Sequence, residues 1–138
     1  MFEVVAFDDV SPFFEMTPDL VCIASKEGYF KKVNRAVIDT LGYEPEELFA
    51  RPISSFIYPE DQELTHRERM RLIKGAPLLD FQNRYVTKSG AIIWLHWTSI
   101  YLPDKEFVFA IAKDVTERKK AEQERTAKPT NTKHRITL

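Results

Sequence analysis

Four side chains carry chemistry that a cleft could use: the thiol of Cys22, the imidazoles of His66 and His96, and the carboxylate of Asp80. No recognised catalytic spacing joins them, so no nucleophile–base pair can be read from the sequence. Three scattered histidines and one cysteine do not make a metal-ligand pattern. Only four glycines are present, and none builds a phosphate-cradling loop. The residues argue against an enzyme and turn attention to binding and relay.

The composition sets the frame. With 138 residues, 43% of them hydrophobic and ten of them Phe, the chain can bury one core, so the body is not disordered. Twenty basic residues against 21 acidic ones leave a formal charge of −1, which gives no nucleic-acid surface. No apolar run approaches the roughly 20 residues a membrane helix needs, and no signal peptide opens the chain. A single cysteine excludes an internal disulfide and fits a reducing compartment, so the expected location is cytoplasmic.

The elements that position these residues follow from pattern. Phe2, Val4, Val5 and Phe7 fit a short arm or strand, and Ser11-Pro12 reads as a helix start, with proline at the first helical position. Leu20–Ala24 and Tyr29–Val33 flank the turn Lys26-Glu27-Gly28 as a hairpin. Asn34 caps a helix carrying Val37, Ile38 and Leu41 on one face, with Gly42 at its C-terminal end. Pro45 starts a second short helix, and Ile53–Tyr58 fits one further turn. Pro59-Glu60-Asp61 opens a longer helix that Gly75 stops, with His66, Met70 and Ile73 sharing a face. Leu78–Thr87, Ala91–Leu102 and a final strand from Phe107 form a meander. Together they predict an α+β domain, one five-stranded antiparallel sheet with helices on one face. Glu117–Arg125 is an exit helix of charged helix formers with no broad apolar face. The expected boundaries are an arm over 1–10, a domain over 11–116, an exit helix over 117–128 ending at Lys128-Pro129, and a linker or next-domain edge over 129–138.

Five short stretches, in order, resemble the PAS sensory domains: Val33–Ala36, Leu41–Leu48, Tyr58–Asp61, Lys88-Ser89-Gly90 and Asp114–Glu122. The closing Asp-Val-Thr-Glu-Arg-Lys is the most diagnostic, a C-terminal PAC motif. The resemblance covers Ser11 to Arg125. It implies a PAS fold and a sensor that binds a small ligand or cofactor, or relays a signal by dimerisation, to an output domain absent from this chain. A sensor histidine kinase is the first expectation for the whole protein. The alternative is a ligand-free dimerisation module of a transcriptional regulator or a diguanylate cyclase. A homodimer through the N-terminal helix and the outer sheet face is implied too.

By similarity to flavin-binding PAS domains, Phe81, Asn83, Tyr85, Leu95, Trp97, Ser99, Val108, Ala110 and Ala112 face inward, with Cys22 and Ala24 on the first strand and His66 and Met70 on the long helix. The expected ligand contacts are Cys22, His66, Met70, Asn83, Tyr85, Trp97, Ala110 and Ala112. Small Ala110 and Ala112 leave either a cavity or room for Trp97 to pack. An inward His66 resembles the iron ligand of heme-binding members; it also fits a core or rim histidine, and the helix-to-sheet connection is shorter than in heme sensors. The cysteine-bearing motif of the light-sensing members would fall near Ser54-Ser55-Phe56, which holds no thiol for a flavin adduct. Asn83 and Tyr85 would anchor a polar molecule or bond across strands. Phe13, Phe14, Trp94, His96, Phe109 and Ile111, with Tyr101, are expected on an outer partner surface, unless the N-terminal helix covers it through Phe13 and Phe14. Glu46-Glu47 and Lys119-Lys120 read as solvated faces.

Overall fold

The computed structural model describes the backbone of residues 7–137 and the side chains of residues 12–126. Five strands, β1 (Leu20–Ser25), β2 (Phe30–Val33), β3 (Leu78–Val86), β4 (Ile92–Leu102) and β5 (Phe107–Asp114), form one antiparallel sheet in the order β2-β1-β5-β4-β3. The last strand therefore lies at the centre, paired with β1 on one side and β4 on the other. Between β2 and β3 come α2 (Arg35–Leu41), α3 (Pro45–Ala50), 3-10 turns at Ile53–Phe56 and Pro59–Asp61, and α4 (Gln62–Ile73). The α+β expectation, with helices inserted between a hairpin and a meander, matches this order.

Strand periodicity decides what is buried. Cys22, Ala24, Leu95, Trp97, Ser99, Val108, Ala110 and Ala112 are all buried, each separated from the next on its strand by a more exposed residue. From the helical side come Val37, Leu41, Leu48 and Phe56, the last fully buried between Phe30 and Tyr43, with ring centroids 6.2 and 4.9 Å away. The turn after Phe56 runs along the free edge of β3, where Ile57 pairs with Tyr85 and the Tyr58 amide donates to the Arg84 carbonyl at 2.9 Å. That coverage removes part of an otherwise open edge.

Asn34 ties three elements together. Its side-chain oxygen accepts from the amides of Val21 (3.0 Å) and Val37 (3.3 Å), which caps α2. Its amide nitrogen donates to the carbonyls of Phe14 (2.9 Å) and Asp19 (3.0 Å). Gly42 ends α2 at φ 81°, a left-handed conformation that glycine adopts without strain.

Both ends differ from expectation. The first helix, α1, runs from Phe7 to Met16 with Pro12 inside it rather than at its start. Proline there removes the hydrogen bond to the Asp8 carbonyl and crowds that carbonyl with its ring, although its fixed φ is itself helical. The exit helix α5 (Thr116–Thr137) likewise does not end at Pro129 but continues past it, so the expected linker from 129 is helical as far as Thr137. The expected arm is helical from Phe7; Phe2, Val4 and Val5 lie outside the described residues.

Candidate functional site

The buried sheet face and the helices enclose a cavity of about 320 Å³. This is at the lower end of the range that ligand sites occupy. Cys22, Asn83, Tyr85, Trp97 and Ala110 line it from the strands, and His66 lines it from α4. Ala112 does not reach it: fully buried, it packs where β5 meets Leu20 and Trp97 in register. The two alanines thus split the roles proposed for them, Ala110 leaving room and Ala112 filling the core.

The polar groups on the sheet side are few and mostly occupied. Trp97 Nε1 donates to Asn83 Oδ1 at 2.9 Å, and Asn83 Nδ2 donates to Thr65 Oγ1 on α4 at 3.1 Å. Asn83 thereby bonds strand to strand and strand to helix, with both ends of its amide engaged. The Tyr85 hydroxyl has no hydrogen-bond partner among the described residues, although its ring is buried and tilted against Trp97 at 5.8 Å. Burial, with Cys22 nearby, drives the Tyr85 pKa well above the usual phenol range, so the group is a neutral donor. Burial pushes the Cys22 thiol up to about 12, which makes it an inert wall atom and not a nucleophile.

On α4 the inward face is one residue away from the expected one. Thr65, Arg69 and Leu72 are the more buried residues, while His66 is exposed at the cavity rim and Met70 is 40% exposed and takes no part in the lining. The spacing i, i+4, i+7 fits either set, and the sequence favours the expected one, which has Met70 and Ile73 where the inward set has Arg69 and Leu72. Thr65, Arg69 and Leu72 were missed for that reason, as was Gln62, whose side-chain amide donates to the carbonyls of Ser54 (3.0 Å) and Ile57 (3.1 Å). Arg69 Nη2 donates to the carbonyls of Lys26 and Ser25, closing α4 onto the β1–β2 turn. His66 stands at the rim of this cavity, exposed, and not at an enclosed position facing its interior. Ser54, in the stretch near which the cysteine-bearing motif was expected, is among the residues lining the cavity.

The four chemistry-bearing residues fall in three separate places. Cys22 is in the core, His66 at the rim, and His96 on the other sheet face, 3.0 Å from the exposed carboxylate of Asp80. Among the described residues no cluster of three or more His, Cys, Asp or Glu could hold a metal ion.

Residues 30–109 match the sequence profile of the PAS fold, more than half of the chain. The chain belongs to the PAS family. A methyl sulfide methyltransferase-associated sensor of Methanosarcina acetivorans is 33% identical over 112 residues, which is 79% of this chain and 11% of that protein. A probable diguanylate cyclase of Escherichia coli is 27% identical over 108 residues, 75% of this chain and 10% of that protein. This PAS chain therefore spans about a tenth of the length of the curated relatives it matches. Among solved structures, a domain of a sensory box sensor histidine kinase/response regulator from Geobacter sulfurreducens aligns with a TM-score of 0.69 at 24% identity, covering 78% of this chain and 92% of that one. A PAS domain from Desulfitobacterium hafniense aligns at 0.62 with 25% identity, covering 75% and 98%.

The outer face of the PAS sheet carries Phe109 (37% exposed), Ile111 (48%) and Ile100 (44%). Tyr101, expected among them, pairs with buried Val108 and packs on the core instead, because odd-numbered residues of β4 point inward. Phe13 is 75% exposed and Ile100, Phe109 and Ile111 stay exposed as well, while Phe14 is half-buried with Lys32 Nζ 5.2 Å from its ring.

Trp94 and His96 are only partly exposed, and Trp94 is a junction. Its ring lies between the Arg84 guanidinium (5.0 Å) and Lys119 Nζ (4.6 Å). Its amide donates to Thr116 Oγ1 at 2.9 Å, and its carbonyl accepts from the Val115 amide at 2.9 Å. Arg84 in turn forks onto Asp61 just before α4, with Nη2 to Oδ1 at 2.6 Å and Nε to Oδ2 at 3.0 Å. Lys119 is thus a ring contact and not a merely solvated charge, and Glu47 likewise binds Lys88 at 2.8 Å.

Proposed function

We propose that this PAS domain is the sensory module of a longer signalling protein, taking up a small ligand between α4 and the sheet and passing the change along α5 to an output domain. The observation that carries this reading is the cavity itself, walled by α4 residues whose neighbour Asp61 is bonded through Arg84 and Trp94 to the start of α5. A ligand that shifts α4 acts on the same residues that seat the exit helix. The output is a histidine kinase, with a diguanylate cyclase as the second candidate; the domain itself carries out no chemistry and works in a reducing, cytoplasmic setting.

The exposed apolar patch of Ile100, Phe109 and Ile111 favours a second reading, a ligand-free domain that relays through a homodimer on the outer face. An absorption spectrum and a native mass spectrum of freshly purified protein separate the two. A cofactor band or a stable added mass supports sensing. A colourless dimer with no added mass refutes it in favour of relay.

A further inference from the structure

The cavity, taken as the sensory site proposed above, has a charge feature that a purely apolar pocket does not need. Arg69 lines it with a half-buried guanidinium. Only Nη2 is engaged, on the Ser25 and Lys26 carbonyls; among the described residues Nε and Nη1 donate to nothing, and no carboxylate reaches ion-pair distance. Glu27, on the same rim, acts on Arg69 only through space. A partly desolvated cation with no carboxylate at ion-pair distance is costly, and burial pulls the Arg69 pKa down while Glu27 through space opposes it. The guanidinium lies over Gly28, whose φ of 95° favours glycine; a Cβ there would sit 3.5 Å from Nη2, in ordinary van der Waals contact. Behind the rim the walls are Phe30, Leu72, Phe81 and Val108; the Tyr85 hydroxyl there has no partner among the described residues, and Ser54, His66 and Ser99 add further polar groups to the lining.

We propose that the cavity takes a small monocarboxylate with an apolar body, its carboxylate on the guanidinium donors that Arg69 leaves free and its hydrocarbon against Phe30, Leu72 and Phe81. A volume of about 320 Å³ holds roughly ten non-hydrogen atoms at the ~30 Å³ that a water occupies in the liquid. A chain or ring acid of that size places its head at the rim and its body inside. Free Nε and Nη1 then gain charge-assisted bonds that water at a half-buried site supplies poorly.

Octanoate and 1-octanol, equal in chain length and different in the head group, test this by isothermal titration. Octanoate should bind once per chain, and octanol at least tenfold more weakly. Arg69→Met should bring octanoate down to the level of octanol, with Arg69→Lys retaining part of the preference. Because Arg69 also holds the hairpin carbonyls, the wild-type preference is read without any variant. Equal binding of the two probes overturns anion selection and leaves the sensory reading standing. So does octanoate binding that survives Arg69→Met, which would put the anion elsewhere. Binding of neither probe also overturns the proposal, while the native mass spectrum alone decides the sensory reading.

Discussion

Removing the Asn34 side chain should be among the most damaging single changes in the domain. It is fully buried and makes four hydrogen bonds, two accepted and two donated. In Asn34→Ala the Val37 amide keeps its bond to the Asn34 carbonyl at 3.2 Å, so the cap loss is about 1 kcal/mol. The Val21 amide and the carbonyls of Phe14 and Asp19 lose their side-chain partner, at about 1 kcal/mol each when buried. The sum is about 4 kcal/mol, a large share of the 5–15 kcal/mol typical of a domain. Urea denaturation should show it as a midpoint lowered by about 2 M at a slope of about 2 kcal/mol/M. Asn34→Asp keeps both accepted bonds but turns a carboxylate toward two carbonyl oxygens, so at pH 7 it should be no milder than alanine. It should recover part of the loss on acidification, when the protonated acid can donate. A cost below 1 kcal/mol for alanine, or a mild and pH-independent aspartate variant, would refute this account of Asn34.

Two further predictions concern titratable groups. Asp61→Ala should cost about 2–3 kcal/mol at pH 7, since the carboxylate is 13% exposed and accepts two side-chain bonds and one amide bond from Arg84. The Arg84 hydrogen bonds hold the Asp61 pKa below the ordinary carboxylate value. Its contribution is therefore fully present above the unfolded pKa of about 3.9 and is lost as pH falls through the lower folded value, so urea midpoints of wild type and variant should converge in acid. Cys22, with its pKa raised to about 12, should react with iodoacetamide at pH 8 roughly a thousandfold more slowly than a free thiol, and in step with the fraction unfolded in urea. Labelling of the native protein at the free-thiol rate would contradict its burial.

Strand parity was ambiguous in the alternation itself, because both faces of Ile92–Trp97 are apolar or aromatic, and the resemblance to flavin-binding PAS domains supplied it. Asn83 and Tyr85, Leu95 and Trp97, and Val108 and Ala110 could be placed together. Tyr101 failed because it was grouped by aromatic type and not counted along β4. The face of α4 was not legible: Gln62–Ile73 has polar residues on every side, and its inward face includes an arginine that buries its stem and spends one nitrogen on carbonyls. Asn34 read as a cap, but its bonds to Phe14 and Asp19 connect residues up to 20 apart, which no local pattern encodes. Likewise Lys119 looked solvated because Trp94, its partner, lies on a different element.

The junction at Trp94 also has a mechanical consequence. Side chains from Lys120 to Thr126 are all exposed, so the described contacts that fix α5 are gathered at its first turn, around Val115, Thr116 and Lys119. The helix is then a lever with its fulcrum at one end. Its 22 residues span about 33 Å at 1.5 Å per residue. A tilt of about 5° at Thr116, a movement of a few tenths of an ångström among the pivot atoms, sweeps the far end through about 3 Å. Any segment joined beyond Thr137 would feel small adjustments of the sheet at that gain.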